Sequence, residues 1–265
     1  MQRYNISATI VTYNSYDKCR ETLESIYKYT KGVELTVYIV DNNSTDRSPE
    51  RLKEDFPSIV LIKNDDNKGF GHGHNCVLSI LDSRFHFIVN PDIIIETDIF
   101  SELSEYLDKN PDVGLVTPKI LNMDGTDQML PKRDPSVLAL LGRRIFKKAL
   151  KNEVGYYQML DKNLDEINDI EFATGCFFGI DTDLFKEING FDERFFLYYE
   201  DMDITRRARA VRRAVYNPFF YVYHAWERSS AHSLRYFVVL VKGMFTYFKK
   251  WGFKFRYTNK EKKEI

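Results

Sequence analysis

The sequence predicts an α/β fold: a Rossmann-like α/β/α sandwich on a mainly parallel central sheet, with a C-terminal helical extension. Three observations predict it. Short apolar, β-branched runs recur at Ile6 to Val11, Leu35 to Val40, Ile59 to Ile62 and Phe85 to Val89, each followed by polar turn residues, as in strands buried on both faces. Segments with helical spacing lie between these runs, and such alternation favours parallel pairing. The length of 265 residues, 43% hydrophobic and 29% charged, supplies the core that a large domain needs.

The elements follow in order. From Tyr16 to Tyr29, Cys19, Leu23, Ile26 and Tyr27 fall on one helical face. Ser48-Pro49-Glu50 reads as an N-cap followed by proline at the first helical position. A third helix is predicted from Thr97 to Lys109, turning Ile99, Leu103, Tyr106 and Leu107 inward before Pro111 stops it. The stretch from Asp124 to Asp169 is less periodic and carries Arg143, Arg144, Lys147, Lys148 and Lys151, so it is expected to be a partly helical insertion. No internal repeat is visible. The expected organisation is one domain over 1–233, with halves 1–120 and 121–233, and a tail over 234–265.

Lys plus Arg (38) nearly cancel Asp plus Glu (39), leaving a formal net charge of −1, which argues against a nucleic-acid partner. Cys19, Cys76 and Cys176 are widely spaced and fit small buried residues in a reducing compartment. The start, MQRYNISATIVTYN, lacks the basic and long apolar regions of a secretory signal, so the expected address is cytoplasmic. From Leu234 to Phe248 the chain is apolar and aromatic, but Arg235, Lys242 and Gly243 interrupt it, and it is shorter than the ~20 residues that span a bilayer. With Lys249, Lys250, Lys254, Arg256, Lys260, Lys262 and Lys263 behind it, segment 234–263 reads either as an amphipathic basic helix lying on anionic lipid or as a helix packed on the domain.

Polar residues gather where the strands end, the usual ligand edge of such sheets. Val11-Thr12-Tyr13-Asn14 and Val40-Asp41-Asn42-Asn43-Ser44-Thr45-Asp46 present a surface for a base and ribose, or form a turn and helix cap with no ligand. Asn67-Lys68-Gly69-Phe70-Gly71-His72-Gly73-His74-Asn75 reads as a tight loop opening a helix, with histidines facing solvent. Its GxGxG spacing departs from the GxGxxG of nicotinamide-cofactor enzymes. In Phe87-Ile88-Val89-Asn90-Pro91-Asp92, proline stiffens the exit from a buried strand. Asp92 there suits either a turn or a divalent cation such as Mg²⁺, which takes one or two carboxylates and fills its shell with phosphate and water.

The densest stretch is Gly190-Phe191-Asp192-Glu193-Arg194-Phe195-Phe196-Leu197-Tyr198-Tyr199-Glu200-Asp201-Met202-Asp203. Aromatic surroundings raise a carboxyl pKa and can make a general base near neutrality, while acids in a first helical turn also meet the dipole. Arg206 and Arg207 either help neutralise phosphate or pair with acids. Asn217-Pro218 and Tyr221-Val222-Tyr223-His224 read as a short edge strand delivering a histidine.

Taken together, TYN, VDNNSTD, NKGFGHGHN, NPD, ATGCFFG, GFDERFFLYYEDMD and YVYH resemble the family 2 inverting glycosyltransferases, specifically their rhamnosyltransferase-like branch, from Ile6 to Lys250. The resemblance implies a GT-A type fold and a dTDP- or UDP-linked sugar donor. It further implies Mg²⁺ or Mn²⁺ as cofactor and a glycan or polyprenyl-diphosphate-linked acceptor, in bacterial surface polysaccharide synthesis. By resemblance, Thr12, Tyr13, Asn14 and Asp41 line the base pocket. Asn43, Lys68, Gly69, Asn75 and Asn90 belong to the nucleotide-sugar site. Asp92 binds donor and metal as the last acid of an Asp-x-Asp signature whose first place Asn90 takes, and His224 completes the metal's shell. Asp201 is the expected base, with Glu200 behind it or in its place. A non-catalytic nucleotide-sugar or glycan-binding module on the same scaffold is the rival expectation.

Overall fold

The computed structural model describes residues 4–146, 148–225, 234–258 and 261. The first apolar runs become β1 (Tyr4–Thr12), β2 (Val33–Asp41), β3 (Val60–Lys63) and β4 (Phe85–Val89), all mutually parallel in the order β3-β2-β1-β4. Helices α1 (Tyr16–Tyr29), α2 (Ser48–Asp55) and α3 (Phe70–Asn75) connect them. Beyond β4 come β5 (Ile93–Ile94), α4 (Ile99–Lys109) and β6 (Val113–Leu121), then α5 (Val137–Arg144) and α6 (Lys151–Tyr157) within the aperiodic stretch. The chain closes with β7 (Asn168–Asp169), β8 (Phe177–Asp181), α7 (Thr182–Glu187), α8 (Glu200–Arg209), β9 (Arg213–His224) and α9 (Leu234–Trp251).

Among the described residues one nine-stranded sheet runs β3-β2-β1-β4-β8-β6-β9-β5, with β7 paired to β9. The parallel expectation holds through β4 and gives way after it: β8 is antiparallel to both β4 and β6, β6 and β9 are parallel, and β5 is antiparallel to β9. β8 follows the 124–169 stretch instead of a strand-helix crossover, so nothing constrains it to run parallel.

Alternation along the strands divides the interior. Ile6, Ala8, Ile10, Phe85, Phe87 and Val89 pack with Cys19, Leu23 and Ile26 of α1 and Ile99, Phe100 and Leu103 of α4. Ile88, Phe178 and Ile180 pack on the other face with Leu184, Phe185, Ile204 and Ala208. Each such side chain contributes about 1.5–3 kcal/mol on full burial, which holds the strand ends against the strain described below. A third cluster joins Phe195, Tyr199 and Met202 to Tyr247 and Phe248 of α9, and to Tyr157, Phe172 and Tyr257.

Several local expectations change. Ser48 is the first residue of α2 and not its cap: Asp46 Oδ1 accepts the Ser48 N–H at 3.0 Å, and Arg47 precedes it at φ 60°. His74 is fully buried between the rings of Phe70 and Phe191, because α3 turns it into the sheet face rather than toward solvent. β9 is a long interior strand and no short edge strand, since a register shift at Pro118/Lys119 lets pairing with β6 continue past Pro218. Among the described residues no helix is long and apolar enough to cross a membrane. One face of α9 packs on the domain through Tyr247 and Phe248, while Val238 and Phe245 face outward. Lys147, Lys260, Lys262 and Lys263 lie outside the described residues.

Candidate active site

The carboxyl ends of β1 and β2 are in register at Thr12 and Asp41. Asp41 is fully buried, and its carboxylate accepts the Ser44 N–H at 3.0 Å and the Ser44 hydroxyl at 2.5 Å. Asn14 sits at φ 49°, accepts the Thr45 N–H at 2.8 Å and donates its own N–H to Ser44. The turn reading is therefore real, and it builds a rigid shelf. The buried Thr12 hydroxyl has no hydrogen-bond partner, whereas Tyr13 and Asn43 are exposed on its rim. Asn42 ties this shelf to the glycine loop, donating to the Gly69 carbonyl at 3.1 Å.

Asp92 and His224 meet because β5 folds back against the end of β9, pairing Ile93 with His224. His224 Nε2 lies 3.3 Å from Asp92 Oδ1, and both side chains are largely buried. The Gln128 amide donates to the His224 carbonyl at 2.9 Å, which turns its Oε1 toward His224 Nδ1 at 3.2 Å. In the neutral ring Nδ1 then carries the proton and Nε2 presents a lone pair. That lone pair faces Asp92 Oδ1, a buried oxygen with no hydrogen-bond partner. Two lone-pair centres held face to face suit a cation, so the donor set fits Mg²⁺ or Mn²⁺ bound with few protein ligands and completed by phosphate and water. Among the described residues no group of three or more His, Cys, Asp and Glu forms a fuller cage. The Asn90 N–H is bonded to the Cys176 carbonyl at 2.8 Å.

The acid pair opens α8. Tyr198 and Tyr199 precede it at φ 70° and 71°, two consecutive left-handed residues of a kind that costs about 1–3 kcal/mol each and clusters at functional sites. Glu200 is only 4% exposed and its Oε2 has no partner; burial, then the adjacent Asp201 carboxylate, push its pKa well above the usual carboxylate range. Asp201 is half-buried, and its oxygens accept the N–H groups of Gly175 at 3.2 Å and Met202 at 2.9 Å. Burial pushes its carboxyl up to about 6, while those N–H groups and the cation of Lys132 hold it from rising further. An acid tuned so is ionised at neutrality and basic enough to take a proton.

Gly175 and Cys176 join the two clusters: Gly175 donates to Asp201, and the next residue accepts from Asn90. Since β8 pairs with β4 from Phe177 to Val89, this junction lies at the same sheet edge as Asp92. The structure thus gathers Thr12, Tyr13, Asn14, Asp41 and Asn43 on one shelf, and Asn90, Asp92, His224, Glu200 and Asp201 beside Cys176. Lys68 is exposed and lies 3.4 Å from Asp66. Gly69 packs on the backbone of Phe196.

Asn75 stands apart. Its amide is consumed by Phe191 and Glu193, in the wall of an open concavity of about 600 Å³ that neither Asp92 nor Asp201 lines. Arg206 and Arg207 pair with Asp134 and Asp203, the acid-pairing role. Sequence reasoning missed Gln128, Lys132 and Tyr157, whose aperiodic stretch carries no motif.

The glycosyl transferase family 2 model matches residues 7–189, a span that includes Asp41 and Asp92 and stops before Glu200, Asp201 and His224. The chain is 26% identical over 210 residues to the low-salt glycan biosynthesis hexosyltransferase Agl10 of Haloferax volcanii, covering 77% of this chain and 62% of that one. It is 25% identical over 235 residues to an N-acetylglucosaminyl-diphospho-decaprenol L-rhamnosyltransferase of Mycobacterium tuberculosis, covering 81% and 74%. Its fold resembles the mannosyltransferase PcManGT of Pyrobaculum calidifontis, solved with GDP-Man and Mn²⁺, at TM-score 0.63 and 18% identity over 94% of this chain and 65% of that one. The mixed sheet with its C-terminal helix is the fold of GT-A glycosyltransferases, and the chain belongs to glycosyl transferase family 2.

Proposed function

We propose that this protein is an inverting glycosyltransferase that moves rhamnose or another hexose from a dTDP- or UDP-linked donor to a glycan or polyprenyl-diphosphate-linked acceptor. The observation that carries the reading is Asp201, a carboxyl raised toward neutrality and joined through Gly175-Cys176 to the edge that holds Asp92 and His224. The shelf of Thr12, Tyr13, Asn14 and Asp41 takes the nucleoside, with Asn43, Lys68 and Gly69 beside it. Asp92 and His224 would hold the cation, and a divalent ion there would supply positive charge to offset that developing on the leaving diphosphate. Asp201 removes the proton from the acceptor hydroxyl as that oxygen bonds to the anomeric carbon. The bond to the donor's diphosphate breaks on the opposite face, which inverts the centre. Burial favours the protonated form of Glu200, which spares Asp201 a second negative charge.

A lipid-linked acceptor is supported by the name of the mycobacterial relative. The outward Val238 and Phe245 of α9, beside exposed Lys242 and Lys249, support contact with an anionic membrane surface. The test is release of nucleoside diphosphate from a panel of dTDP- and UDP-sugars with Mn²⁺. Release suppressed by EDTA and by Asp92→Asn is expected, and release indifferent to both would overturn the assignment of the metal pair.

A further inference from the structure

We propose that Lys132, Arg143 and Tyr157 form a second anion site, beside Asp201, that receives a diphosphate group. Lys132 is 5% exposed, and its ammonium meets the Leu130 carbonyl at 3.1 Å and the Phe172 ring at 5.0 Å. Among the described residues no carboxylate lies within ion-pair distance of it. The backbone allows no retreat, since the Lys132 carbonyl accepts the N–H groups of both Glu171 and Phe172. A buried ammonium without a counter-ion is costly, and the charges that Lys132 feels most are Arg143, of like sign, and then Asp201. Burial and Arg143 lower its pKa to about 7.

Arg143 makes no ion pair with a described carboxylate and lies over the Tyr157 ring, 5.6 Å from its centroid. Tyr157 is fully buried, its hydroxyl has no partner, and it senses both Arg143 and Asp201. Two cations that pair with no described carboxylate and an unspent hydroxyl thus lie around Asp201, whose carboxylate is already held by two backbone N–H groups. A diphosphate supplies the charge that is missing, and a guanidinium fork matches its oxygens. The surroundings favour the acceptor's diphosphate, because Arg143 leads directly to Ile145 and Phe146, which are 67% and 54% exposed and offer apolar surface to a prenyl chain. This assignment of source rests on the glycosyl-transfer reading, whereas the anion site itself does not.

Calorimetric titration of the full chain with inorganic pyrophosphate in EDTA tests the site. Binding is expected to weaken about tenfold or more in Lys132→Met and Arg143→Gln, the loss of one charge-assisted hydrogen bond, and to be unchanged in Asp92→Asn. Arg143 is exposed, so its variant keeps the test valid if Lys132→Met fails to fold. No binding by the wild type, or equal affinity in Arg143→Gln, overturns the proposal. Two further titrations name the source. A loss confined to farnesyl diphosphate assigns the site to the acceptor, and a loss confined to UDP with Mn²⁺ assigns it to the donor. Pyrophosphate binding that depends on Arg143, in a protein that ignores both UDP and dTDP with Mn²⁺, upholds the anion site and removes the glycosyl-transfer reading.

Discussion

The carbonyl oxygen of Phe196 lies 2.1 Å from where a Cβ on Gly69 would stand, and it accepts the Phe70 N–H at 2.9 Å. The glycine loop is thus an abutment for the turn that carries Glu200 and Asp201. Gly69 has φ +100° with ψ −177° as well, a region essentially reserved for glycine, so Gly69→Ala combines backbone strain of about 1–3 kcal/mol with overpacking of about 1–3 kcal/mol. Urea unfolding should show a loss of roughly 2–6 kcal/mol by summing those two costs. Turnover should fall even where the variant remains folded, because the turn must shift.

The acid pair is separable by substitution. Asp201→Asn should lower turnover by about 10²–10⁴ while donor affinity, followed by calorimetry, stays within a few-fold of wild type. Glu200→Gln keeps a neutral side chain of the same shape and should retain most activity. A reversed ranking would move the base to Glu200.

Glu200 also makes a stability prediction. Its folded pKa is raised by burial, so between the ordinary carboxylate value and that raised value the folded chain binds more protons than the unfolded chain. Stability therefore falls as pH climbs through that window. Glu200→Gln removes the loss, and its gain in Tm should be larger at pH 8 than at pH 4.

The rate should rise with pH through about 6 as Asp201 ionises. Because the Lys132 cation lowers the Asp201 pKa, Lys132→Met should displace this acid limb to higher pH. An unmoved limb in the pH profile of kcat would show that the two groups do not communicate.

Gln128 fixes the ring of His224, as outer partners of metal-binding histidines do. Gln128→Leu should weaken Mn²⁺ binding by about 10–100-fold. It should also change the His224 ¹⁵N signature from a single Nδ1–H tautomer to a mixture, a readout independent of turnover.

Much of the architecture was legible because its cause is local. Tyr16–Tyr29 and Phe85–Val89 form the predicted elements, since an apolar face of the right period and a clear stop at each end suffice. β9 was misjudged because Pro218 looks terminal until the register shift opposite it is known. His74 was misjudged because its burial is imposed by Phe70 and Phe191, and the latter is far away in sequence. At the site, the types at Asp92, Asp201 and His224 were readable, but their arrangement depends on β5 turning back onto β9 and on Gly175-Cys176 bridging the acids. Gln128, Lys132 and Tyr157 acquire meaning only by what they face.

Gly243 of α9 lies where a Cβ would meet the Tyr198 carbonyl at 2.9 Å and the Tyr199 ring at 3.1 Å. The last long helix is therefore the buttress behind a strained turn, and Tyr247 and Phe248 seal the same wall. Removing it would release two tyrosines from a conformation they do not adopt unaided, so Glu200 and Asp201 have their footing in a helix more than thirty residues downstream of them, and dissecting the chain ahead of Leu234 would dismantle the edge that carries the acid pair from behind.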